Sequence, residues 1–159
     1  MKLSTKGRYT TRALLDLALH QKARPIPLKD IARRQEISLH YLEHLFTPLI
    51  TSGIVRSFRG PAGGVRLVKP PHRIKLSEVI RLVEGSIVPV ECVVNPEVCS
   101  RSELCATREI WAELERAMSA VLESTTLQDL VERQETKERV TGLDIEGTGK
   151  GEVNGEANQ

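Results

Sequence analysis

Leu28-Lys29-Asp30-Ile31-Ala32-Arg33-Arg34-Gln35, followed closely by Ser38-Leu39-His40-Tyr41-Leu42-Glu43-His44-Leu45-Phe46, is the stretch on which the fold turns. The first run sets Leu28, Ile31 and Ala32 on one face of a short helix, directly after Pro25 and Pro27 have broken the chain. The second opens with Ser38 in an N-cap position and carries Leu39, Leu42, Leu45, Phe46 and Leu49 on one stripe. Two helices joined by so tight a turn form a helix-turn-helix. Pro48 lies inside the second run, where its ring crowds the carbonyl of His44, so a kink or an early end is expected there.

Upstream, Tyr9, Ala13, Leu14, Leu17 and Ala18 keep helical spacing between Thr5 and about His20, with Ser4 or Thr5 available as a cap. Downstream, Gly53 reads as a C-cap, and Ile54 to Ser57 and Val65 to Val68 read as short strands around the glycine-rich tip Arg59-Gly60-Pro61-Ala62-Gly63-Gly64. A helix-turn-helix followed by a hairpin is the order of a winged helix. Pro70 and Pro71 separate the wing from an amphipathic helix over Leu76 to Gly85 that buries Val79, Ile80 and Val83. A loop from Ser86 to about Ala106 then holds all three cysteines. From Thr107 to about Ser124 a longer helix carries Ile110, Leu114, Ala117 and Val121, with Trp111, Met118 and Leu122 widening the stripe. So broad an apolar face points to helix pairing across a homodimer, the alternative being that it folds back on the first domain.

The predicted fold is therefore mainly α: a winged helix-turn-helix with a small β-hairpin wing and a long C-terminal dimerisation helix. Residues 1–75 form the winged domain, 76–106 a helix and the cysteine loop, 107–134 the dimerisation helix and a short terminal helix through Leu127, Leu130 and Val131. Residues 135–159 read as a disordered tail, because 5 of the 11 glycines fall from Gly142 onward and no apolar period runs through it.

Composition sharpens the reading. The chain of 159 residues is 40% hydrophobic and 28% charged, and has no apolar run long enough for a membrane span of roughly 18 residues. Its N-terminus lacks the apolar core of a secretory signal, so a cytosolic protein is expected. The net charge of +2 conceals a division: residues 1–75 hold 15 Lys and Arg against 4 Asp and Glu, residues 76–159 hold 8 against 17. A basic N-terminal half suits a polyanion, here double-stranded DNA; the plainer alternative is a bipolar globule.

A helix of this kind offers its first turn to base edges in the major groove, which makes Ser38, Leu39, His40, Tyr41 and Glu43 the candidate contacts. Ser38 and Tyr41 can donate to phosphate, His40 can bond a base edge or a phosphate, and Glu43 can accept from cytosine N4 while repelling phosphate. In the wing, Arg59 supplies a cation for the minor groove, beside Gly60, Pro61, Gly63 and Gly64, whose glycines let backbone come close to the sugar-phosphate chain. Capping for Ser38, a solvated surface for His40 and Glu43, and an ordinary hairpin turn are the bland alternatives.

Cys92, Cys99 and Cys105 are separated by six and five residues. Structural zinc favours closer pairs and four ligands, and no histidine follows locally. Soft thiolates in a loop suit an iron-sulfur cluster, with buried or redox-active thiols the alternative. A cysteine nucleophile is disfavoured because His20, His40, His44 and His72 all fall in the basic domain, so no enzyme is expected. A thiol redox or metal-binding module is the rival from another class.

Met1-Lys2-Leu3-Ser4-Thr5-Lys6-Gly7-Arg8-Tyr9, Ile37 to Glu43, Val55-Arg56-Ser57-Phe58-Arg59-Gly60-Pro61-Ala62-Gly63-Gly64 and the cysteine trio together resemble the bacterial winged-helix iron-sulfur cluster regulators of the IscR type, over roughly Met1 to Gln134. The resemblance implies a homodimeric transcription factor, mainly a repressor, in which a cluster held by Cys92, Cys99 and Cys105 alters DNA recognition. It also implies that bases and minor groove are read by Ser38, His40, Glu43 and Arg59, although serine is commoner than histidine at position 40. Two departures matter. Where that pattern has a histidine ligand three residues after the last cysteine, this chain has Arg108, and where nitric-oxide-sensing relatives use an aspartate in the first helix it has Arg8. The fourth ligand is therefore unknown, with Glu91, Glu97, Glu103, Glu109, a partner-chain residue, a small thiol or water as candidates, and the cluster can be [2Fe-2S] or [4Fe-4S]. The stretches Leu82 to Val90 and Ser124 to Leu127 also resemble the cluster-free cysteine-metabolism repressors of the same family, which lack this cysteine trio.

Overall fold

The computed structural model describes residues 3–142. Six helices and one hairpin follow in the order α1 (Thr5–His20), α2 (Leu28–Gln35), α3 (Leu39–Thr51), β1 (Val55–Phe58), β2 (Gly64–Leu67), α4 (Leu76–Glu84), α5 (Ala106–Ser124) and α6 (Leu127–Thr141). The predicted mainly α winged helix-turn-helix is the fold observed. Ser4 and Ser38 each cap a helix, accepting from the N–H groups of Lys6 and Tyr41. Glu36 ends α2 in the left-handed conformation at φ 53°, which turns the chain sharply into α3.

One apolar core gathers the first three helices, the wing and α4. Leu14, Leu17, Ile31, Leu42, Phe46, Leu49, Ile54, Val65, Ile74 and Val79 are all buried in it. Asp16 is buried as well. Arg34 donates to both of its carboxylate oxygens and Gln35 to one, so the charge is fully paired and α1 is tied to the end of α2. The strands pair antiparallel from Val55 opposite Leu67 to Phe58 opposite Gly64. Ile26 adds an isolated bridge to Val65 with two backbone hydrogen bonds of 2.9 and 2.8 Å.

Three differences from the sequence reading have physical causes. Helix α3 neither stops at nor before Pro48 but runs three residues past it, because Leu45, Phe46 and Leu49 are buried on both sides of the proline and packing outweighs one lost hydrogen bond. The terminal helix is not short: it continues to Thr141, so residues 135–141, read as the start of a disordered tail, are helical, and Gly142 ends the helix at φ 62°. Residues 143–159 of that tail lie outside the described residues. The winged domain is also not complete by residue 75. Leu127 is fully buried in its core, the N–H groups of Leu127 and Leu76 bond to the carbonyls of Ile74 and Thr125, and α6 packs on α1. The strands sit one residue off their expected bounds, and the loop of 86–105 contains three short 3-10 turns.

Candidate nucleic-acid interface and cysteine loop

The first turn of α3 stands clear of the core. Ser38, Leu39, His40 and Glu43 are exposed, while Leu42, on the opposite side of the same turn, is fully buried. The Ser38 hydroxyl accepts from the Tyr41 N–H at 3.3 Å, so it acts as a cap and keeps its own proton for another acceptor. Tyr41 is half-buried, its ring edge-on to Tyr9 at 6.2 Å. That contact brings a feature sequence reading missed. Arg8 and Arg12 of α1 lie 5.9 and 5.7 Å from the Tyr9 ring centre, so two exposed guanidinium groups lie against the ring that meets Tyr41 of α3. The i, i+4 spacing of Arg8 and Arg12 was visible in the sequence, but the contact of Tyr9 with Tyr41 depends on how α1 crosses α3.

In the wing, Arg59, Gly60 and Pro61 are exposed at the tip. Gly60 has φ +99° and open space around it, and its carbonyl accepts from the Gly63 N–H at 2.9 Å to close the turn. The other two glycines serve the hairpin itself. A Cβ at Gly63 would meet the Phe58 carbonyl oxygen at 2.4 Å, and one at Gly64 would meet the Ile26 carbonyl oxygen at 2.3 Å. Close approach of backbone to backbone within the protein therefore requires glycine at both positions.

Cys92, Cys99 and Cys105 are all half-buried free thiols in the loop between α4 and α5. Cys105 immediately precedes α5. A hydrogen bond with the Thr107 hydroxyl, then the Arg108 backbone N–H and the Arg108 charge, hold its thiol below the ordinary cysteine range. Arg108 occupies the place of the missing histidine ligand, and its Nε donates to the Cys92 carbonyl at 2.7 Å, fastening the first turn of the loop to the start of α5. The donor chemistry fits an iron-sulfur cluster as three soft thiols on one segment. The arrangement is open, since among the described residues no three His, Cys, Asp or Glu side chains lie close enough to hold a metal ion together. At its other end the loop leaves α4 through Glu84 and Gly85. The Glu84 carboxylate accepts from the Ser4 hydroxyl and, at 2.8 Å, from the Gly7 N–H, so the last residue of α4 seals the first turn of α1. A side chain at Gly7 would strike that carboxylate, its Cβ falling 2.6 Å from Oε1.

This arrangement of helix-turn-helix, wing and following helices has relatives. A family model described as Rrf2, iron-dependent transcriptional regulator, matches residues 3–133. The chain belongs to the Rrf2 family. It is 43% identical over 135 residues to the HTH-type transcriptional regulator IscR of Xenorhabdus nematophila, covering 85% of this chain and 82% of that protein. The IscR of Erwinia tasmaniensis is 44% identical over 135 residues, covering 85% and 81%. Among solved structures, CymR, the global cysteine regulator of B. subtilis, superposes with a TM-score of 0.72 at 40% identity over 84% of this chain and 98% of that one. T. potens IscR does so with 0.71 at 36% identity over 87% and 91%. The Rrf2 chain is thus a transcriptional regulator of winged-helix fold, and no helix among its described residues is long and apolar enough to cross a membrane.

Proposed function

We propose that this regulator binds operator DNA as a homodimer and responds to iron-sulfur status through a cluster held by Cys92, Cys99 and Cys105. Ser38, Leu39, His40, Tyr41 and Glu43 face the major groove, and Arg59, with Gly60, Pro61, Gly63 and Gly64 shaping the wing, reaches the minor groove. The observation that carries the DNA part is the exposed first turn of α3, set on a buried core and followed by an exposed basic wing. The cluster part is supported by three thiols on one loop and by the IscR-named relatives. Cys92, Cys99 and Cys105 would hold such a cluster, which would supply iron-thiolate bonding to the loop. The protein's own contribution is the linkage of that loop to the DNA-reading unit through Glu84 of α4, which seals the first turn of α1, and its attachment to α5 through Arg108 on the Cys92 carbonyl. Pairing across the exposed Ile110, Trp111 and Val121 face of α5 supplies the dimer.

Operator binding by protein isolated without oxygen, followed against salt and scored together with iron and sulfide content, tests the proposal. Log affinity is expected to fall with log salt by about 0.9 per phosphate contacted. Arg59→Ala should weaken all sites, Glu43→Ala should relax base choice by about 1–3 kcal/mol at one position, and any single Cys→Ala should lose iron while leaving a folded protein. Salt-independent association, or cysteine variants that keep their full iron and sulfide, would overturn it. A cluster-free regulator of cysteine metabolism is the second reading, favoured by the superposition on CymR; a colourless, iron-free anaerobic preparation is its signature.

A further inference from the structure

Helix α3 carries a second feature that its DNA-reading role does not require. His40 and His44 lie one helical turn apart on its exposed face, their rings meeting edge to face with centres 4.5 Å apart and their Nε2 atoms 3.2 Å apart. We propose that His40 and His44 form a binding site for a divalent transition ion with a preference for imidazole, such as zinc, and that occupancy of this site competes with operator DNA.

The separation of the two nitrogens suits a single ion. With zinc-nitrogen bonds of about 2.0–2.1 Å, two nitrogens 3.2 Å apart subtend roughly 100° at the metal, between the square and tetrahedral angles. Histidines at i and i+4 are the spacing by which zinc-binding helices present two ligands on one face, and here the run reads His40-Tyr41-Leu42-Glu43-His44. Both side chains are exposed, so turning the two rings until both lone pairs meet one ion is unobstructed by the core. Among the described residues no third His, Cys, Asp or Glu joins the pair. Water fills the remaining positions, the site is a two-ligand regulatory one, and hydrolytic chemistry is not part of it. An ion seated on His40 occupies a side chain that the proposed function assigns to DNA, and brings His44 and its hydration shell onto the same surface. Linkage is reciprocal: the factor by which the ion lowers operator affinity is the factor by which the operator lowers affinity for the ion.

The zinc stoichiometry tests the site, and the operator competition tests its link to the DNA-reading assignment, on which only the second half of the proposal rests. Zinc ion is the probe, added to the full chain and to His44→Gln, a position outside the proposed DNA contacts. Thiol-bound zinc is common to both proteins and cancels. Wild type is expected to bind one more zinc per chain than His44→Gln, and His40→Gln should lose the same equivalent. Saturating zinc should lower wild-type operator affinity by roughly tenfold or more, within the usual range of coupling between two sites, and a chelator should restore it. His44→Gln should hold the operator equally with and without zinc. Equal stoichiometry in wild type and His44→Gln overturns the site and leaves a plain hydrogen-bonded histidine pair. An unchanged operator affinity with the extra zinc bound, or zinc inhibition that persists in His44→Gln, overturns the competition.

Discussion

The unit formed by α1 to α4 and the hairpin, and the unit formed by the cysteine loop and α5, are built on opposite principles. In the first, large side chains such as Phe46, Leu14, Leu17 and Ile54 are sealed from solvent. In the second, α5 has 19 residues and not one of them is buried, while Ile110, Trp111 and Val121 are 57%, 40% and 63% exposed. Leu104, in the turn just before Cys105, is 97% exposed. A chain that closes one core completely and leaves another apolar face open is divided between a part that folds on itself and a part whose apolar face stays exposed. The division between basic and acidic sequence, at residue 75, lies just ahead of α4, so the basic surface and the open apolar surface are different surfaces.

The contrast can be broken most strongly at Phe46. Phe46→Ala is expected to cost about 3–5 kcal/mol of stability in denaturant unfolding, because the cavity opens in a closed core. Trp111→Glu should instead preserve the helical circular dichroism signal and show its effect in sedimentation equilibrium, weakening self-association by about 2 kcal/mol or more if α5 is the dimer seam. A Trp111→Glu protein that unfolds would show that α5 belongs to the first unit.

A smaller effect sharpens the division of labour inside the wing. Gly64→Ala must push against the Ile26 carbonyl and keep φ +156°, and is expected to cost more than about 1 kcal/mol in urea unfolding. Gly60→Ala meets open space and carries only its backbone strain at φ +99°, so its urea midpoint should fall less than that of Gly64→Ala.

The smallest effect is at the joint between the two units. Glu123, near the end of α5, accepts from Lys75 at 3.3 Å and from Arg81 at 2.9 Å. Its carboxyl is held below the ordinary glutamate range, first by the Ser77 hydroxyl and then by Lys75. A lowered folded value means that the contribution is fully present above the ordinary glutamate range and is lost as pH falls through the lowered one. The stability gap between wild type and Glu123→Gln should therefore close on acidification, and a gap unchanged in acid would remove the carboxylate from the joint.

The helix-turn-helix, the wing and the onset of α5 were legible because each has a local cause: a serine cap, a two-proline break, a glycine in the left-handed region, a stripe at helical spacing. What escaped was non-local or polar. The extension of α6 past Arg133 carries no apolar repeat; its later turns are supported by polar contacts such as Gln134 with Glu138, and Thr136 with the Glu132 carbonyl. The internal role of Gly63 and Gly64 depends on which backbone lies against them, and composition does not contain that information.

Residue order alone determined the winged helix-turn-helix, the exposed first turn of α3, the three-thiol loop and the absence of a histidine at position 108, since each depends on spacing along a few turns of chain. Tertiary structure decided that Leu127 returns to complete the first core, that Glu84 seals α1, that Arg108 grips the Cys92 carbonyl, and that α5 is left with no buried residue. Periodicity reports which face of a helix is apolar. What that face meets is set by the closing of the whole chain around a core with room for only some of its helices.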